Sequence, residues 1–150
     1  MKSQRARIDN SYSIPYLAGR NTSGTTIFID KSLPRYMQVD GQRVDVWACI
    51  ELHETVEWAM MHNLSLKYPK AHELATLLEN GHVTQLGVSA VTYEKLVKPY
   101  IKAADKAVRS GGATDVPPDL DLEPYADSKD LHMVQLLQKL QAKHQEDSDD

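Results

Sequence analysis

His53, Glu54 and Glu57 stand together in the segment Ile50-Glu51-Leu52-His53-Glu54-Thr55-Val56-Glu57, and His72 and Glu79 follow in the next segment. An imidazole and a carboxylate four residues apart on a helix reach the same point in space. Two helical side chains share a metal ion in this way. At the helical period, Val46, Cys49, Ile50, His53, Glu57, Met60 and Met61 fall on one face, with Glu51, Thr55 and Ala59 on the other side. A bare carboxylate inside an apolar stripe is costly to bury, so Glu57 needs something that neutralises it. A metal ion, a hydrogen bond from His53 or a lysine from elsewhere would each serve, and the local pattern leaves all three open. Glu54, beside His53, sits at the edge of this face, where it would touch a water on the metal rather than the ion.

His72 and Glu79 are seven residues apart, nearly superposed on a helical wheel, with the small residues Ala75 and Thr76 between them. They either complete a site or form the wet side of their helix. Leu74, Leu77 and Leu78 occupy the opposite face and are expected to pack into the core. Cys49 reads as a small core residue within reach of a metal, and Trp47 and Trp58 as packing residues. Glu79-x-x-His82 has the spacing of di-iron carboxylate bundles, but the second such pair that a bundle needs is missing. His62, His132 and His144 have no partner at ligand spacing. No phosphate-cradling glycine loop and no serine or cysteine nucleophile with its base is present.

The elements that must position these residues follow from periodicity and from glycine and proline punctuation. Thr25–Ile29 is a strand, bounded by Gly24 and Asp30, and Pro34 and Asp40-Gly41 mark a loop. Helices are predicted over 44–62, 70–80 (with Pro69 at the first turn) and 92–109, the last bent near Pro99 and closed by Gly111-Gly112. An acidic, proline-rich linker runs from Asp115 to Pro124. A final amphipathic helix over 128–145 carries Leu131, Val134, Leu137 and Leu140, a stripe that must dock on its own domain or on a partner. The fold class is therefore mainly α, an α+β chain with at most a small edge sheet near 25–30. Residues 1–24 form a loosely ordered arm, 25–112 the metal-binding domain, and 113–150 the linker, docking helix and tail.

A chain of 150 residues with 41% hydrophobic and 25% charged residues suits one soluble domain. No apolar run approaches the roughly 18 residues that span a bilayer, and the N-terminus lacks a secretory pattern. The single cysteine fits a reducing compartment, so a cytoplasmic location is expected. Of the net charge of −4, residues 111–150 contribute ten acidic and three basic groups. That excess reads as a solvated tail. The mildly basic remainder gives no grounds for nucleic-acid binding, and Lys2, Arg5 and Arg7 belong to the loose start.

The Ile50–Glu57 segment resembles the active-site helix of zincin metallopeptidases, H-E-x-x-H, with Glu57 in place of the second histidine. Ile27-Phe28-Ile29-Asp30 and the loop after it resemble the edge strand that lines the cleft in minimal zincins. Tyr68 to Glu79, followed by Tyr100-Ile101-Lys102, is similar to small phage and prophage proteins that share an HExxE, a following AHxxA and a later carboxylate. The likeness spans about residues 25–105. It implies a zincin-like helical core with zinc as cofactor. His53 then matches the first ligand and Glu54 the general base, while Glu57 and His72 are further ligands. Glu79 is a fourth ligand or a partner that orients a histidine. Tyr100 is either an oxyanion stabiliser or a packing residue. A carboxylate at position 57 adds negative charge and makes the metal a weaker Lewis acid. The implied function is a zinc-dependent hydrolase acting on a peptide or protein. The alternatives are a phage-encoded accessory protein with a structural or degenerate metal site, docking to a partner through its C-terminal helix, and a di-iron helical protein.

Overall fold

Three helices carry the candidate site and two small sheets brace them. The chain runs β1 (Arg7–Asp9), β2 (Ala18–Arg20), β3 (Thr26–Ile29), β4 (Tyr36–Val39), β5 (Gln42–Asp45), α1 (Val46–Asn63), α2 (Tyr68–Gln85), α3 (Ala90–Arg109), α4 (Glu123–Asp127) and α5 (Leu131–Asp149). This is a computed structural model that describes residues 5–149, with side chains described as far as Gln145. Lys2 of the N-terminal arm and the acidic side chains of the tail from Glu146 lie outside that range. The architecture is mainly α with a small β component, as the periodicity implies.

Each long helix begins where the sequence supplies a start. The Asp45 side chain accepts from the Ala48 backbone N at 3.1 Å, capping α1, and Ser89 does the same for Thr92 N at 3.3 Å on α3. Pro69 sits in the first turn of α2, where its missing N–H costs nothing. That helix continues through Gly81, and α3 continues through Pro99, so neither residue ends its element.

The β structure departs from the sequence expectation in three ways. The first sheet has the order β1-β3-β2, with β1 parallel and β2 antiparallel to β3. The strand expected at an edge is therefore central, and its side chains are buried on both faces. The arm expected to be loose supplies both of its neighbours. The segment around Asp40-Gly41 is the turn of the β4–β5 hairpin, and both residues have positive φ, 51° and 77°. That is the backbone demanded by a two-residue turn matching the twist of the strands.

The main core joins Ile27, Ile29, Val44, Val46, Cys49, Ile50, Val83, Tyr93 and Val97, drawing on the first sheet, the hairpin and the first three helices. A second cluster joins Ile14, Phe28, Val108, Val116, Leu120, Tyr125, Met133 and Leu137. The C-terminal helix thus docks on its own chain, and the proline-rich segment lies under it as part of the packing. A division at residue 112 does not separate two cores. Fully burying a side chain such as Leu137 contributes about 1.5–3 kcal/mol. Arg109 pairs with Asp130, and the Tyr16 hydroxyl donates to Asp130 Oδ2 at 2.8 Å, tying the N-terminal segment and α3 to the start of α5.

Helix α2 turns a face of small and polar residues inward (Ala71, Ala75, Glu79 and Val83), which lets it pack closely along α1. Leu77 and Leu78, expected in the core, are 62% and 50% exposed. The inward face is the one that carries the chemistry. No helix among the described residues is long and apolar enough to cross a membrane.

Candidate metal centre

His53 on α1 and His72 on α2 meet over Glu57. His53 Nε2 lies 2.9 Å from Glu57 Oε2 and 3.1 Å from His72 Nδ1, and His72 Nδ1 lies 3.1 Å from Glu57 Oε2. Three ligand atoms therefore form a nearly equilateral triangle. An ion held at about 2.0–2.2 Å places neighbouring ligand atoms about 3.0 Å apart at right angles, or about 3.4 Å apart in a tetrahedron. The observed edges match the first arrangement and need only a small opening for the second. Two imidazoles and one carboxylate are also a donor set that divalent transition metals accept. The residues fit a metal ion.

The triangle is built from both helices: α1 presents two ligands from its buried face, and α2 presents one from its exposed rim. His53 and Glu57 are 8% and 5% exposed, whereas the side chain of His72 is about half exposed, at 48%. His72 stands at the mouth of the site. Behind the triangle, His53 donates its Nδ1 hydrogen to Glu79 Oε1 at 2.9 Å. Glu79 is thus not one of the three converging ligands; it orients the histidine, and a carboxylate behind an imidazole raises its basicity as a ligand. Its other oxygen, Oε2, accepts from the Tyr93 hydroxyl at 2.7 Å.

The electrostatics follow from this packing. Burial alone would lower the pKa of His53, but hydrogen bonds to Glu57 and Glu79 outweigh it and hold the imidazole up at about 10. In the metal-free protein a proton on Nε2 thus does the work of a cation. Burial pushes Glu57 up, and the hydrogen bonds from His53 and His72 more than reverse it, leaving it below the ordinary carboxylate value. Glu54, 7% exposed, is raised by burial and then by the charge of Glu57, with His53 and Arg20 opposing. Among the described residues no side chain donates a hydrogen bond to Glu54. It is a buried carboxylate left facing the site.

Glu54, His53 and His72 open onto a cleft of about 280 Å³ whose walls include Leu17, Ile50, Val97 and Ile101. Lys98 and Glu94 line the same cleft on α3. Tyr16 and Leu17, which both line the cleft, are non-glycine residues with φ of 65° and 79°. Such backbone costs on the order of 1–3 kcal/mol per residue and persists where its surroundings hold it. Here the Tyr16 ring packs at 4.7 Å from that of Tyr125 and 6.2 Å from that of Tyr68.

Of the residues expected at the site, His53, Glu54, Glu57 and His72 come together and Glu79 stands behind them. Tyr100 does not join: it packs against the main core and is not among the residues lining the cleft. The phenol at the site is Tyr68, whose hydroxyl lies 3.2 Å from His72 Nδ1 and whose ring is 5.2 Å from the imidazole. Its position four residues before His72 was the available signal. His82 is not part of the metal-ligand group, and among the described residues only His53, Glu57 and His72 form such a group. Cys49 contacts Tyr93 instead, and burial raises its thiol to about 11.

Two further residues were invisible to spacing arguments. Arg20 on β2 is 9% exposed, lies 5.2 Å over the Trp58 ring and donates to Gly24 O at 2.7 Å and to Thr55 Oγ1 at 3.3 Å. It supplies positive charge beside Glu54 and Glu57. Tyr93 arrives from α3, forty residues after His53, and only the tertiary fold brings it close.

No family model matches the chain, and neither a curated protein nor a solved structure matches it.

Proposed function

We propose that this chain is a metal-dependent hydrolase with zinc as its cation, working in the manner of the zincin metallopeptidases its HExxE segment resembles. The observation that carries this reading is the triangle of His53, Glu57 and His72, with the buried carboxyl group of Glu54, which accepts no side-chain hydrogen bond among the described residues, beside it in a partly apolar cleft. His53 Nε2, Glu57 Oε2 and His72 Nδ1 would hold the ion, which supplies polarisation of a water and of a substrate carbonyl. Glu54 takes the proton from the attacking water and passes it to the leaving group. Burial and Glu57 raise its proton affinity, which suits a base that must later act as an acid. Glu79 fixes the ring plane of His53. Tyr68, held protonated by burial and neighbouring carboxylates, offers a hydrogen-bond donor at the mouth beside His72. The apolar part of the wall, formed by Leu17, Ile50, Val97 and Ile101, favours a peptide or protein segment with an apolar side chain.

A second reading is favoured by one observation. Leu64, Leu77 and Leu78 expose apolar surface on and just before α2. Under that reading the chain is an interaction protein whose metal is structural. Glu54→Gln separates the two. A hydrolase variant keeps zinc and its melting temperature while turnover of a peptide library falls by about 10²–10⁴-fold. If wild-type chain and variant, both zinc-loaded, cleave nothing and bind partners equally, the structural reading stands.

A further inference from the structure

Tyr93 lies at the junction of three helices, and what it touches suggests more than packing. Its ring is 2% exposed in the main core. Its hydroxyl donates to Glu79 Oε2 at 2.7 Å, while Glu79 Oε1 accepts from His53 Nδ1 at 2.9 Å. The Cys49 side chain, one turn before His53 on α1, packs in the same core cluster as Tyr93. The chain of contacts therefore runs from α1 (Cys49) to α3 (Tyr93), on to α2 (Glu79), and back to α1 at His53.

A carboxylate bonded at one oxygen can still swing about its last torsion. Bonded at both, it has a fixed plane, and the imidazole that leans on it has a fixed ring orientation. We propose that Tyr93 is a positioning residue for the metal centre: it locks Glu79, and through Glu79 it aims His53 Nε2 at the point shared with Glu57 and His72. This rests on the metal-binding reading above, and it adds a residue from a helix that provides no ligand. A buried tyrosine hydroxyl needs a partner in any core. What distinguishes positioning from packing is that its effect on the metal travels only through Glu79.

Residues behind a ligand typically contribute 10–100-fold to metal affinity. The test is a double-mutant cycle on the full chain, with zinc affinity measured against a competing chelator and melting followed without metal. Tyr93→Phe should weaken zinc binding about tenfold. Glu79→Ala should weaken it at least as much, and adding Tyr93→Phe to Glu79→Ala should then change the zinc affinity by less than about twofold. The cobalt(II) absorption spectrum should shift in Tyr93→Phe at saturating metal, because a misaimed imidazole alters the ligand field. Unchanged affinity and spectrum in Tyr93→Phe overturn the proposal, as does an equal loss in the Glu79→Ala background. A Tyr93→Phe chain that fails to fold without metal also overturns it, in favour of a structural role. A wild-type chain that binds no zinc removes the site and the proposal together, and this is distinguishable because it is seen before any substitution is made.

Discussion

Raising the pH from 7 to 9 should tighten zinc binding to this chain by roughly a hundredfold. In the metal-free protein the Nε2 hydrogen of His53 points at Glu57 and the Nδ1 hydrogen at Glu79, each at 2.9 Å. Those two acceptors hold the imidazole protonated up to about 10 despite its burial. An ion that takes Nε2 must displace that proton. Three units below the pKa, the competition costs roughly a thousandfold in apparent affinity, and each unit of pH gained returns about a factor of ten. Chelator competition at pH 7, 8 and 9 measures the slope, and calorimetry in buffers of different ionisation enthalpy counts the protons. At least one should leave per ion at pH 8. The same residue sets a stability trend of definite sign. Its folded pKa lies above the unfolded value of 6.5, so its contribution is complete below about 6.5 and is lost as pH rises through about 10. At 1.36 kcal/mol per unit that contribution has a ceiling of about 5 kcal/mol, and a few kcal/mol is the working magnitude. The metal-free melting temperature should fall across that window, and the zinc-loaded one should not. A flat affinity profile with no proton release would refute the reasoning.

Tyr68→Phe should lower turnover at least about tenfold at unchanged zinc content, because it removes the hydroxyl 3.2 Å from His72 Nδ1. Tyr100→Phe should leave activity within about twofold, and the reverse ranking would restore Tyr100 as the oxyanion stabiliser. Gly24→Ala should destabilise the chain by about 2–4 kcal/mol in denaturant melts, since a Cβ there would stand 2.3 Å from Trp58 Cζ2 at a φ of +75°. A loss under about 0.5 kcal/mol would mean that Trp58 and the Arg20 that lies over it are free to move.

The site was legible to the extent that helical spacing carries it. His53 and Glu57 are one turn apart on a helix whose period shows in the sequence, so their convergence needs no tertiary information. Placing His72 against them required α2 to turn its small face inward, and Ala75 and Thr76 with three leucines opposite pointed the right way for the site but the wrong way for the core. Leu77 and Leu78 lie outside because close approach of α1 and α2 selects small residues such as Ala71 and Ala75 for the contact. Asp40-Gly41 carried its hairpin signal openly, and reading it as a loop missed a turn chemistry that the two residues state directly. The strands at 7–9 and 18–20 were hidden for a different reason. At three residues each they have no periodicity to detect, and they exist because β3 pairs with both. Tyr93 and Arg20 reach the site across 40 and 33 residues of sequence from His53, a distance that no local pattern encodes.

The central claim is that His53, Glu57 and His72 bind one divalent ion, and elemental analysis tests it most directly. The chain should be purified without a chelating tag or column, beside His53→Ala and His72→Ala variants. Wild-type protein should carry close to one zinc per chain, each variant should carry almost none, and removing the metal should lower the wild-type melting temperature. Wild-type protein that holds no metal and does not change its melting curve when zinc is added would contradict the claim, and would leave His53, Glu57 and His72 as a private hydrogen-bonded cluster.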